Sequence, residues 1–313
     1  DSVEHIPAYL CNIANKLRTA TIPNSVKSIG TKALNGVETI YMKGTTPPTL
    51  ASNDIVNRAA IIIVPDAALS AYRSSWSSFT KQIISESDLQ QREVTITANP
   101  SLSALHDALG ESTLLNTISL KVNGTINSYD IMLIRNKMLN LRYLDLSGAE
   151  VVANEYEYYT GYCTHDNMLE NYAFSELNLR VVHLPKNLIE IHDCFTSCLY
   201  LDTVYCQPGL QTIGTLTFAN CSSLRHVDIK EGLVTIGASA FSETGNLQAV
   251  TLPNSLETIG SDAFSNTGLL SLTIPANVST IGQGAFASNR GEYHSNNIGY
   301  SYAGGGTLQE VIF

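Results

Sequence analysis

The chain has 313 residues and a formal net charge of -10, with 44% hydrophobic and 15% charged residues. That balance excludes a disordered chain, and the negative charge without a Lys/Arg run argues against nucleic acid or an anionic membrane as partner. The longest strongly apolar run, residues 59–64, is far too short for a membrane span; the six cysteines, without a Cys-x-x-Cys pair, make neither a dense disulfide framework nor a zinc knuckle.

From the amino terminus, Ser2-Val-Glu-His-Ile6 resembles Ser255-Leu-Glu-Thr-Ile259 near the other end, with Cys11 at an aromatic's place. The chain is therefore expected to begin partway through a repeated unit, with residues upstream removed, disordered or lost by proteolysis. Leu17-Arg-Thr-Ala-Thr-Ile22 follows, then Pro-Asn-Ser-Val-Lys-Ser-Ile-Gly-Thr-Lys-Ala-Leu34. Val37-Glu-Thr-Ile-Tyr-Met42 reads as the last strand of this first array, ended by Thr45-Thr-Pro-Pro48 because proline lacks the ladder donor. Residues 61–64 read as a further buried strand. Residues 67–79 read as a capping helix, with Leu69, Tyr72, Trp76 and Phe79 at helical spacing. Polar residues 85–91 mark a boundary between a first unit, 1–88, and a second, 91–313.

The second unit opens with a strand at 94–96 and a helix at 101–109, whose Leu102, Leu105 and Leu109 share one side. A strand at 118–122 is expected to end in an Asn123-Gly124 turn. An apolar helical pattern over 130–138 then feeds the strand that starts at Leu141. Residues 91–138 thus read as an amino-terminal αβ cap on the repeats of 139–313.

Those repeats carry most of the information. Leu247-Gln-Ala-Val-Thr-Leu-Pro-Asn-Ser-Leu-Glu-Thr-Ile-Gly-Ser-Asp-Ala-Phe264 is matched by residues 224–241, 201–218 and 269–286, and, one residue shorter, by 179–195. The starting leucines fall 22 or 23 residues apart. Offsets zero, three and five from each leucine face inward as on a half-buried strand, and offsets two and four face solvent. The Ile-Gly-x-x-Ala-Phe phrase supplies the return side. Its glycines, Gly214, Gly237, Gly260 and Gly282, are expected to permit a tight or positive-φ turn. One coil cannot bury its own apolar face, so neighbours must stack and share a parallel sheet. The fold class is a leucine-rich-repeat solenoid of short parallel strands and irregular coils, in two arrays with intervening αβ caps. Two insertions, near 153–167 and 288–306, interrupt it; insertions of this kind become loops on one edge.

The phrases at 247–264 and its neighbours resemble the BspA-like leucine-rich repeat proteins of bacterial surfaces. Residues 1–42 and 139–313 carry this resemblance by repeat. Asn123-Gly-Thr-Ile-Asn-Ser-Tyr-Asp-Ile131 and Leu144-Asp-Leu-Ser-Gly148 are similar to segments that open arrays in gut Bacteroidetes proteins of this kind. The resemblance implies a secreted or cell-surface protein, possession of a macromolecular partner, and no catalytic residues to carry over.

Two sets of residues are candidates for contact with a partner. The outward strand positions read His183, Tyr205, Asp228, Thr251 and Thr273 at offset four, and Val181, Thr203, His226, Ala249 and Ser271 at offset two; a solvated, threonine-rich sheet is the plainer alternative. The insertions hold Tyr156, Tyr158, Tyr159 and Tyr162 in the first and Tyr300 and Tyr302 in the second. Tyrosine is frequent at recognition surfaces, although these rings could instead pack against their own edge. His226 and Asp228 have no serine or cysteine to complete a nucleophile–base arrangement. Cys198 and Cys221, each three residues before a strand leucine, stack on adjacent coils as small hydrophobes or pair as a disulfide; Cys194 and Cys206 take core places. Neither a cofactor nor a metal site is expected. The reading is non-catalytic binding or adhesion to an extracellular or host protein or a glycan. The alternatives are a spacer that displays other domains and an enzyme built on the inserted loops.

Overall fold

Wherever the Leu-x-x-Val-x-Leu phrase pairs with its neighbour, it does so in parallel and in register, because each coil repeats the last. The computed structural model describes residues 3–12, 17–57 and 59–287, and the backbone of His294–Asn296, Gly299–Ser301 and Glu310–Ile312. It divides into two compact units, 1–90 with 115–118, and 91–114 with 119–313.

In the larger unit the front sheet has six parallel strands: Arg92–Ile96, Ser119–Ile126, Tyr143–Val151, Val181–His183, Thr203–Tyr205 and His226–Asp228. Leu120, Leu144, Val182, Val204 and Val227 align across five of them and are all buried. A second parallel sheet forms the return side, from Met168–Leu169 through Glu190–Ile191, Thr212–Ile213, Thr235–Ile236 and Thr258–Ile259 to Thr280–Ile281. Between the sheets lies a column of phenylalanines. Rings 174, 195, 218, 241, 264 and 286 stack at centroid distances of 5.5, 5.5, 5.4, 5.1 and 5.9 Å. Burying each such ring contributes roughly 1.5–3 kcal/mol.

The return glycines work differently from expectation. None of Gly214, Gly237, Gly260 and Gly282 has a positive φ. A Cβ on Gly237 would lie 2.7 Å from the Gly214 carbonyl carbon, and one on Gly282 only 2.3 Å from the Ser261 nitrogen. Glycine is needed at 237, 260 and 282 because the preceding coil's backbone passes too close for a side chain, and at 214 because the His192 ring does. The positive φ falls two residues later, at Leu216, Ser239, Asp262 and Gly284, and again after the phenylalanine, at Ser197, Asn220, Glu243 and Asn266. These left-handed residues turn alternate amides along the array: Leu216, Phe218 and Asn220 donate to the carbonyls of Ala238, Ala240 and Ser242 in the next coil. The turns thereby satisfy backbone groups that burial would otherwise orphan.

The cap of this unit contains the helices Ala104–Leu109, Glu111–Leu114 and Ser128–Lys137. Leu105 is fully buried, but Leu102 is exposed and lies before the helix, a correction to the expected shared side. Asn123-Gly124 makes no turn. The strand runs through it to Ile126, and Gly124, at φ 94°, lets the Ile96 carbonyl approach to where a Cβ would sit. Asp130 ties the cap together. Buried, it accepts from Ser103 Oγ, the Leu105 amide and the Asn127 amide; burial raises its carboxyl above the ordinary range, while the hydrogen bonds oppose the rise.

The smaller unit repeats the plan. Thr19–Ile22, Thr39–Met42, Ile61–Val64 and Ile83–Ser85 form its front sheet, and His5–Ile6, Ser28–Ile29 and Thr49–Leu50 its return sheet. The array therefore does not end at the prolines. Pro47 and Pro48 precede a return strand whose Thr49 amide donates to Lys27, so they leave the ladder intact. The strand Ile83–Ser85 lies at the edge of a segment read from sequence as a polar boundary. The expected helix is shorter, Leu69–Ser75, with a 3-10 turn on each side. Its Tyr72 and Trp76 are buried and donate to the carbonyls of Gly44 and Pro48.

Candidate functional site

Register builds the front face row by row. Glu93, Lys121, Asp145, His183, Tyr205 and Asp228 lie opposite one another in sequence across all six strands. Beside them runs a second row, Ser119, Tyr143, Val181, Thr203 and His226. The alternation of the pleat turns both rows away from the core. The outward strand residues read from sequence, His183, Tyr205, His226 and Asp228, are thus brought onto one surface. Asp145 and Tyr143 join them.

The rings on this face pack on one another. His183 stacks on Tyr205 at 4.2 Å and 18°, and His226 meets Tyr205 at 6.1 Å and 67°. Neighbouring strands lie about 4.8 Å apart, so rings stacked at that separation must stand up from the sheet rather than lie on it. One face of His183 and one of Tyr205 are turned on each other, and His226 meets Tyr205 edge-on. A carboxylate brackets each end: Asp145, which accepts from the Ser147 amide, and Asp228, which pairs with Lys230. From Asp145 to Asp228 is three strand spacings, about 14 Å. At the far side Lys121 and Glu93 pair at 2.8 Å, which holds the exposed Glu93 carboxyl below its ordinary range.

The first insertion is an antiparallel hairpin of Asn154–Tyr159 and Tyr162–Thr164. It is fastened to the helix Ser128–Lys137 at three levels. The Thr164 amide donates to Ser128 Oγ, Tyr156 stacks on Tyr129 at 4.0 Å, and the Arg135 guanidinium lies 4.9 Å from the Tyr159 ring centroid. Tyr159, Tyr162 and Tyr172 form a cluster with centroids 5.5–6.4 Å apart. Tyr158 departs from the expected role. It is 4% exposed, and its hydroxyl donates to the carbonyls of Glu170 and Asn171. Burial pushes that phenol well above its ordinary range. It is a core residue, and Tyr156 and Tyr159 are the exposed members of the set. Tyr302 and the side chain of Tyr300 lie outside the described residues.

The cysteines are free thiols. Cys198 and Cys221 occupy equivalent places, and each donates its S–H to the phenylalanine carbonyl of the preceding coil, Phe174 at 3.1 Å and Phe195 at 3.2 Å. Burial pushes the Cys198 and Cys206 thiols up to about 12. Such groups are small core hydrophobes rather than nucleophiles. Among the described residues no group of three or more His, Cys, Asp or Glu side chains is placed to hold a metal ion, and no helix is long and apolar enough to cross a membrane.

Residues 167–291 match the model of the BspA type leucine rich repeat region in six copies. Among solved structures, the chain is similar to a leucine-rich repeat protein from Bacteroides ovatus at 22% identity, covering 91% of this chain and 68% of that one with a TM-score of 0.35. It is similar to one from Eubacterium ventriosum at 17% identity, covering 90% and 81% with a TM-score of 0.40. The T. pallidum leucine rich repeat protein is 24% identical, covering 46% of this chain and 73% of that one with a TM-score of 0.39. No curated protein matches the chain.

Proposed function

From the premise that residues 167–291 are a BspA-type leucine-rich repeat region, we propose that this chain is a non-catalytic binding module of a secreted or cell-surface protein, and that it grips an extracellular protein partner on its front sheet. The row from Asp145 through His183 and Tyr205 to Asp228 carries this reading. A sugar commonly stacks on a free aromatic face, and here one ring face of His183 and one of Tyr205 are turned on each other. What remains includes a line of hydrogen-bonding ring edges and carboxylates, flanked by Tyr143, Val181 and Thr203, which suits the mixed polar and apolar surface of a protein.

The test is a parallel screen of the chain against arrays of extracellular host proteins and of glycans, repeated with His183→Ala/Tyr205→Ala/His226→Ala. A protein ligand that the triple variant binds at least about ten-fold more weakly is the expected result. Ligands confined to the glycan array, or protein ligands indifferent to the triple substitution, would refute it.

A further inference from the structure

Arg135 is a cation that the fold partly buries without an ion pair. It lies in the last turn of the helix Ser128–Lys137, where the negative end of the helix dipole favours a positive charge. The dipole accounts for a cation at this place but not for its burial. Nη1 donates to the Tyr172 carbonyl and the Tyr159 ring covers one side of the guanidinium. Nε is buried and has no acceptor. Among the described residues no carboxylate lies within ion-pair distance of it; Lys137, two residues on, has Glu111. Desolvation is the main influence on the group and works against its charge, while Tyr159, Tyr158 and the Glu176 carboxylate favour it. Burying a charge without a counter-charge is costly, and the cost is relieved when an anion arrives with matching hydrogen bonds.

Beside Arg135 is a cavity of about 270 Å³, lined by Leu139 and Leu177 with Met138, Leu141 and Leu179 buried beneath, and by the polar residues Ser175, Glu176 and Asn178. We propose that this cavity is a binding site for a carboxylate carried on a short apolar stem, with Arg135 taking the carboxylate and Leu139 and Leu177 taking the stem. A guanidinium presents two parallel N–H groups to a carboxylate, and the cavity is smaller than usual small-molecule sites, so it holds a short acid or one terminal residue of a peptide. Glu176 makes the site selective for a single negative charge, because a phosphate dianion would meet one cation and one fixed anion together. The site goes beyond the front-sheet reading and does not depend on it.

The experiment follows the Arg135 Nε–H resonance of the full chain by NMR during titration with sodium hexanoate, and with hexanamide as the uncharged control. A second pair, N-acetyl-Ala-Leu with a free carboxylate and the same peptide amidated, separates the sources. Tighter binding of the peptide acid identifies a protein carboxy terminus, and tighter binding of hexanoate identifies a free short-chain acid. The expected result is a saturable shift with at least one acid, at least about ten-fold weaker binding of its amide, and a similar loss in Arg135→Gln. Because Arg135→Gln also removes the contacts to Tyr159 and Tyr172, Leu139→Glu serves as a second variant. Leu139 is 43% exposed at the cavity rim, so a carboxylate there leaves the core intact and repels the ligand. Glu176→Gln is expected to tighten binding. No saturable shift with either acid, equal binding of acid and amide, or unchanged binding in folded Leu139→Glu would overturn the proposal. So would a Glu176→Gln chain that melts lower and binds no tighter, since Glu176 would then be the partner that Arg135 uses.

Discussion

The coils from Leu179 to Phe286 and the hairpin Asn154–Tyr159/Tyr162–Thr164 both depend on aromatic residues, far more densely placed in the hairpin, yet they use them differently. In the coils each phenylalanine sits between the equivalents before and after it, and a glycine keeps the neighbouring backbone close enough for the stack to close. Position in the repeat fixes the role of the side chain. In the hairpin no second copy exists, and each tyrosine is placed by a different neighbour: Tyr156 by Tyr129, Tyr158 by two carbonyls, Tyr159 by Arg135. Regularity gives the solenoid a stiff frame, and the interruption supplies groups that the frame does not dictate.

The largest expected effect breaks the frame. Phe218→Ala, in the middle of the ring column, is expected to lower unfolding free energy by about 3–5 kcal/mol, whereas Tyr159→Ala, at the 46% exposed tip of the hairpin, should change it by about 1 kcal/mol or less. Urea denaturation of both variants checks the contrast, and equal losses would mean that the hairpin is as integral as the coils. The glycines sharpen the same point. Gly237→Ala meets the Gly214 backbone and should lose about 1–3 kcal/mol, more than Gly232→Ala, where φ is 106° but the space is open; the reverse order of melting temperatures would restore the turn explanation.

Alkali probes the buried thiols. Cys198 and Cys206 stay protonated in the fold to about 12 but ionise near 9 once unfolded. The folded chain then binds more protons, so stability is full below pH 9 and falls as pH rises from 9 toward 12, by about 1.4 kcal/mol per pH unit for each thiol. Cys198→Ala should flatten part of that slope in denaturation curves taken at pH 8 to 10.5 (~2 kcal/mol across the window for one thiol), and an unchanged slope would show that the thiol is not held protonated. The smallest effect is a gain. Leu216 holds φ 57° at a place where other coils have Asp193, Ser239, Asp262 or Gly284. Leu216→Asn should raise stability by about 1 kcal/mol, visible as a higher melting temperature.

The inward positions of the coils were legible because five units repeat them and burial follows the repeat. The front row was partly legible. Extending the same offsets to the Leu141 phrase places Tyr143 and Asp145 beside His183, a signal already present in Leu141-Arg-Tyr-Leu-Asp-Leu146. That Tyr158 is core and Tyr159 surface was not legible, because the hairpin packs on a helix some 25 residues upstream and no repeat records that contact. The role of Arg135 was hidden for the same reason: its neighbours Tyr159 and Tyr172 come from two other segments. The glycines were recognised as necessary, but a sequence does not distinguish a residue that needs positive φ from one that must yield to a neighbouring coil.

The most direct test of the functional account compares one ligand, captured by the intact chain, against Tyr205→Ala and Tyr156→Ala under identical conditions. The front-sheet reading predicts that Tyr205→Ala weakens binding by at least about ten-fold, through loss of the ring that His183 and His226 lean on, while Tyr156→Ala stays within about two-fold. Full binding by Tyr205→Ala, with loss in Tyr156→Ala, would contradict it and move recognition from the repeats to the hairpin.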